Sequence, residues 1–383
     1  MSRAPTVNAA PTSKLPPAQP RALTEFRGVF VATVANIDWP SRPGLPIAEQ
    51  QAELVRLLDL ARRLRLNVII FQVRPAADAF YASPYEPWSE FLTGRMGTAP
   101  QPFYDPLAFA ITEAHRRGMQ LHAWVNPFRA SHPKATGPVA PQHITRTHPQ
   151  WVRTYGRYRW IDPGEPAAVD HVLQIIGDIV GRYDVDGILI DDYFYPYPEG
   201  RADFPDDETY RRSAATLTRA DWRRENINRF VQRLYSQTKQ IKPHVQVGIS
   251  PAGIWRSGHP SGIRGSGSYD TTFADARLWL QRGWLDYCAP QLYWRIDAPE
   301  QSFPALLNWW IAQNHAQRKI VPALFTSRVA DGSSQQWPAS EIAEQIAIVR
   351  ATPGASGFIH FSMRAFLENR DGLTDLPSLR AAN

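Results

Sequence analysis

The chain carries one cysteine in 383 residues, Cys288. That excludes an intramolecular disulfide framework and a cysteine-ligated zinc site. No uninterrupted apolar run approaches the ~18 residues of a membrane-crossing helix, so no transmembrane segment is expected. Charge is modest: 42 Lys and Arg stand against 36 Asp and Glu, a net charge of +6, with no basic run of five or more. A dedicated nucleic-acid surface is not expected from that distribution, although an anionic polymer would suit it as a partner. No glycine-rich phosphate loop follows the first apolar segment, no HExxH helix exists, and Ser250 lacks the GxSxG surround of a nucleophile elbow. Dinucleotide binding, zinc-dependent hydrolysis and serine hydrolysis therefore lack their signatures, and neither a cofactor nor a catalytic metal is expected.

What the chain has in quantity is aromatic side chains: 13 Trp, 14 Tyr and 17 Phe. Trp at that abundance lines something more often than it fills a core. Residues 1–25 are proline-rich, lack the apolar stretch of a signal peptide and read as a flexible leader, leaving 26–383 as a single domain. A periplasmic or secreted monomer whose export signal has been removed is expected, with a cytoplasmic location as the alternative.

From Phe26 onward short β-branched runs alternate with longer amphipathic ones, the signature of repeated βα units. Strands are predicted over 28–34, 67–73, 120–125, 187–191, 245–250, 287–292, 320–324 and 357–361. Helical patterns fall over 48–64, 106–117, 167–183, 221–241, 303–315 and 340–350. Eight such units predict an α/β fold of the closed (β/α)8 TIM-barrel type. Long insertions follow strands three (127–166), four (193–220) and five (251–275), while loops on the opposite side are short. All three lie at C-terminal strand ends, where barrel enzymes build their active sites.

The residues at those ends are polar and aromatic. Strand two offers Gln72 and Arg74, with Asp78 just beyond; strand three offers His122, Trp124, Asn126 and Arg129; strand four offers Asp191, Asp192, Tyr193 and Tyr195. Strand six adds Gln291, Tyr293 and Trp294, and Trp88 and Trp255 lie in loops. Such a set suits a polysaccharide, whose hydroxyls need paired hydrogen bonds and whose CH faces stack on rings. Successive strand residues point to opposite sides, so Asp191 and Asp192 can both face the barrel axis only if the strand has ended. Leu189 and Asp191 share one parity. If that row faces inward, Asp191 sits at the cleft floor as nucleophile or general base, and Asp192 lies at the turn, where it orients an arginine or reaches substrate from the rim. The blander alternative makes one a turn cap and the other a salt bridge. His122 could equally be a core histidine, and Trp309 and Trp310, inside a helix, are expected to pack.

The segments RGVFVATVANIDWP, NVIIFQVRPAADAFY, EPWSEFLTG, YDPLAFAITEAHRRGMQLHAWVNPFR, VDGILIDDYFYP, GISPAGIW and DYCAPQLYW together resemble the glycosyl-hydrolase-like 10 family. The resemblance runs from about Phe26 to Phe366. It implies a TIM-barrel glycosidase acting on bacterial cell-wall glycan, with peptidoglycan strands stripped of stem peptides as substrate. Gln72, Arg74, Asp78, Trp88, Trp124, Asn126, Arg129, Asp191, Asp192, Tyr193, Tyr195, Gln291, Tyr293 and Trp294 match the family's motif positions. The chain departs from the common barrel-glycosidase pattern in having no Glu after strand seven, which ends PALFTSRV. Asp38, Asp78 and Asp162 are the candidates for a second acid. The expectation is a glycoside hydrolase working by carboxylate acid/base chemistry. The alternatives are a glycosidase of another amino-sugar or uronic-acid polymer, and a carbohydrate-binding barrel without activity.

Overall fold

The computed structural model describes residues 25–214 and 216–380. The leader expected over 1–25 therefore lies outside the described residues, apart from Glu25.

Eight parallel strands form one ring. In order they are Phe26–Val31, Val68–Arg74, Gln120–Val125, Gly187–Ile190, Gln246–Ile249, Tyr287–Cys288, a seventh in two pieces (Lys319–Ile320 and Ala323–Leu324), and Gly357–His360. Strands one to six pair in sequence, and strand one also pairs with strand eight. The two pieces of strand seven close the ring, the first pairing with strand six and the second with strand eight. Pro322 causes the break. It has no N–H for the ladder, yet its carbonyl still accepts from Ile359 N at 3.0 Å, while Val321 N donates to Cys288 O at 2.9 Å on the other side. The architecture is the expected (β/α)8 TIM barrel.

The strands are apolar on both faces because one side meets helices and the other the barrel interior. Strand two, VIIFQVR, is buried throughout. Its outward residues join Leu54, Leu57 and Leu58 of the helix Ile47–Arg63 in the outer core. The other predicted helices appear as Pro106–Arg116, Pro166–Arg182, Arg219–Ile241, Phe303–Ala312 and Ala339–Ala351. Local signals set their starts: Asp105 accepts from Ala108 N ahead of Pro106, and Thr218 accepts from Asp221 N.

The interior is filled by Phe26, Phe30, Ile70, Trp124, Leu189, Tyr287 and Ile359. Glycines make room for the largest of these. A Cβ on Gly248 would sit 2.0 Å from the Tyr287 ring, and one on Gly187 would sit 2.6 Å from His122. The barrel interior is thus plugged below its upper end.

The insertions after strands three, four and five are present. The first carries a three-stranded antiparallel sheet of Arg129–Ser131, Tyr158–Ile161 and Val152–Tyr155. The segment after strand two, 75–105, is also long and holds the helix Glu90–Thr93. Among the described residues no helix is long and apolar enough to cross a membrane.

Candidate active site

Strand four ends at Ile190, which resolves the parity problem of the two aspartates. Leu189 faces the interior, so Asp191 continues the inward row and meets Trp124 of strand three and Asn126 just past its end. Asp192 lies beyond the ladder. It accepts from the Tyr197 hydroxyl and, at 2.9 Å, from Gln291 Nε2. Both carboxylates therefore meet side chains above the interior packing, and each has its own donors. Asp191 accepts from Trp124 Nε1 at 3.0 Å and from Asn126 Nδ2 on one oxygen, and from Tyr193 N at 3.4 Å on the other.

Both groups are nearly inaccessible, at 3% and 7% exposure. Burial, then the charge of Asp192, pushes Asp191 up to about 7, against the pull of Arg129 and the Trp124 hydrogen bond. Burial also raises Asp192, opposed first by Tyr197 and then by Gln291. Adjacent carboxyl groups in so dry a place do not both ionise freely. Such a pair can hold a proton near neutrality and give it up to a substrate oxygen.

Asn126 is the hub beneath the pair. Its Oδ1 accepts from Gln72 Nε2 at 2.6 Å and from Arg129 Nη2 at 3.0 Å, which turns its amide N–H toward Asp191. Gln72 is fixed in turn, its Oε1 accepting from Thr33 N and Val34 N at 2.9 Å each. Arg129 donates to Pro75 O at 2.8 Å and lies 5.0 Å from the centroid of the Tyr193 ring. Thus Gln72, Trp124, Asn126, Arg129, Tyr193 and Gln291 are assembled around the aspartates, as their strand-end positions suggested. Tyr293 joins them on the strand-six side: its hydroxyl is raised partly by the charges of Asp192 and Asp191, and its ring stacks on Phe325 at 4.7 Å. Beyond it Trp294 and Trp337 line an open groove of about 490 Å³.

Other expected binding residues are used elsewhere. Arg74 is fully buried and forks onto Glu86 at 2.8 and 2.6 Å, with Nη1 on the carbonyls of Asn126 and Pro127. Its donors are consumed by the fold. Asp78 accepts from Ala76 N at 2.9 Å and from Ser89, so it ties its own loop together. His122 faces inward but one layer below Trp124, with Nδ1 2.8 Å from the Tyr287 hydroxyl, and is a core histidine. Tyr195 is buried against Phe204, Phe273 and Arg223. Trp255 donates to Asp275 Oδ1 at 2.9 Å and stacks on Trp309, bracing the outer wall. Trp88 sits half-buried with its ring edge-on to Phe103. Trp309 and Trp310 pack, as expected.

The candidate second acids are likewise engaged. Asp38 accepts from Ala32 N, Ser362 Oγ and Arg364 N, and Asp162 from Gly164 N and Thr209 Oγ1. Tyr197, the partner of Asp192, is the main residue that sequence reasoning missed. It lies in the aromatic run YFYPYP, but strand parity does not extend into a loop. Among the described residues no three His, Cys, Asp or Glu side chains come together as a cation site requires.

A sequence model of the family described as glycosyl hydrolase-like 10 matches residues 25–337. The chain is 38% identical over 363 residues to glycosyl hydrolase YngK of Bacillus subtilis (strain 168), covering 92% of this chain and 70% of that protein. It is 36% identical over 380 residues to glycosyl hydrolase DigH of Escherichia coli (strain K12), covering 92% and 86%. Among solved structures, the PgaB (BpsB) glycoside hydrolase domain from Bordetella bronchiseptica is similar in fold. The TM-score is 0.59 at 14% identity, over 94% of this chain and 99% of that one.

Proposed function

The chain belongs to the glycosyl hydrolase-like 10 family, and from that premise we propose that it hydrolyses bacterial cell-wall glycan, namely peptidoglycan strands lacking stem peptides. The observation that carries the reading is the buried, separately hydrogen-bonded pair Asp191 and Asp192 at the top of the barrel. The two act as one unit that shares a proton near neutrality. One carboxyl group protonates the glycosidic oxygen as its bond to the anomeric carbon breaks, and the other, charged, faces the positive charge that develops there and takes the proton of the water that adds to that carbon. Arg129 limits how far the pair is pushed toward full protonation. Residues 26–383 act as a single domain, and the substrate places it in the periplasm or outside the cell.

The test is release of new reducing ends from amidase-stripped peptidoglycan by the purified protein, with product masses read directly. The reading is overturned if no reducing ends appear, or if Asp191→Asn and Asp192→Asn both match the parent. A second reading, a glycan-binding barrel without activity, draws on the engagement of Asp38, Asp78 and Asp162 by structural donors. Retained glycan affinity with no cleavage across a broad polysaccharide panel is its signature.

A further inference from the structure

The groove beyond the aspartates is walled by Tyr293 and Trp294 after strand six and by Arg328 and Trp337 in the loop after strand seven. Ring contacts link it to the acid pair: Tyr293 lies 5.7 Å from Phe361, Phe361 5.7 Å from Phe30, and Phe30 5.1 Å from Trp124, which donates to Asp191. Tyr293, within the field of both aspartates, stacks on Phe325 at 4.7 Å, and the Arg328 guanidinium lies 5.5 Å from the centroid of the same Phe325 ring. Trp337 meets Phe325 edge-on, and its backbone pairs with that of Arg328, Trp337 N donating to Arg328 O at 2.9 Å. A polymer threaded across the aspartates would therefore lay a neighbouring sugar into a slot with aromatic walls and two arginines, Arg295 and Arg328.

The arginines of this region differ in how firmly they are held. Arg74 and Arg129 donate into the fold at distances down to 2.5 and 2.8 Å. Arg295, also in the groove, is clamped by Asp297 at 2.8 and 3.2 Å. Arg328 makes only long contacts, to Asp331 at 3.2 Å, Gln335 at 3.3 Å and Ser333 at 3.4 Å. Its Nε–H meets no acceptor among the described residues, while Phe325 orients its plane. A guanidinium in that state can exchange weak neighbours for a two-point grip on a carboxylate.

We propose that Arg328 reads a carboxylate on the sugar in this groove and so selects an anionic glycan over a neutral one. This rests on the function proposed above, and it narrows that reading: removal of a stem peptide leaves a free lactyl carboxylate on each muramic acid, and a peptide-bearing strand does not present it. Asp331 is the internal competitor that holds Arg328 between substrates.

The experiment compares amidase-stripped glycan with the same glycan after its carboxylates are reduced to alcohols, for the parent and for Arg328→Met and Arg328→Lys. The parent should prefer the carboxylate form by about ten- to a hundredfold in kcat/KM, mostly through KM. Arg328→Met should lose that preference while cleaving the reduced glycan as the parent does, and Arg328→Lys should restore part of it. Equal cleavage of both forms by the parent, or an equal loss on both forms in Arg328→Met, overturns the inference and leaves the proposed function standing. Cleavage of neither form by the parent removes the function on which it rests.

Discussion

Trp124 Nε1 donates to Asp191 Oδ2 at 3.0 Å, while the same indole ring packs edge-on against Phe30 in the barrel interior. One side chain thus joins the apolar plug to the acid pair. The floor beneath Asp191 is dry because it is the top of a packed core, and that dryness raises its proton affinity.

Replacing either aspartate by asparagine should lower kcat by at least about a hundredfold, the contribution typical of a positioned acid or base. Far-ultraviolet circular dichroism should be unchanged, since asparagine keeps the volume and an acceptor oxygen for Trp124 or Gln291. Parent-like rates in both variants, on a substrate the parent cleaves, would displace the chemistry from this pair.

Stability should carry an unusual pH signature. Burial pushes Asp38 and Asp78 up to about 6 and Asp191 up to about 7, from an ordinary value near 3.8. Between about pH 4 and 7 these three groups bind more protons in the folded chain than in the unfolded one, so their contribution to stability is most favourable at the acid end and falls as pH rises. Burial pushes His122 and His132 down to about 4, which acts in the opposite direction, so the aspartate contribution is read by difference from the parent. Asp191→Asn should change the gap between the pH 5 and pH 8 melting temperatures by raising the pH 8 value. An unchanged gap in the variant contradicts this account.

Arg129 lowers the proton affinity of both aspartates. Arg129→Gln keeps a donor for Asn126 but removes the charge. The acid limb of the kcat/KM profile should then move up by about one pH unit. A drop in rate with an unmoved profile would assign Arg129 to packing alone.

Two residues that look like ligands in the sequence should behave as structure. Arg74→Met leaves Glu86 buried and unpaired and should cost about 3–5 kcal/mol in urea unfolding. His122→Gln should leave KM for glycan unchanged, because the ring lies against Tyr287 and Gly187 below the site. Its burial also holds it neutral, pushed down to about 4. A KM change in His122→Gln, with stability intact, would bring it back into the site.

The sequence discloses these elements unevenly, for physical reasons. Parallel strands buried on both faces announce themselves as short apolar runs, and parity then places Asp191, Asn126 and Gln72 on one rim. Parity cannot say how high on the rim a residue sits, which is why His122 and Trp124 look equivalent. Nor can it foresee a partner that folds back from a loop: Glu86 captures Arg74 from twelve residues away, and Tyr197 reaches Asp192 across a proline-interrupted turn. The sheet after strand three did leave a trace. Gly156 and Arg157 separate two β-branched and aromatic stretches as a two-residue hairpin turn does.

The rim of the barrel is divided between strands with different tasks. The acid pair and its supports hang from strands two, three, four and six, whereas the wall bearing Arg328 and Trp337 hangs from the end of strand seven. Loop exchange at 325–338 between family members should therefore transfer substrate preference while leaving the bond-breaking machinery in place. That loop is a natural place to cut when building glycosidases with altered preference.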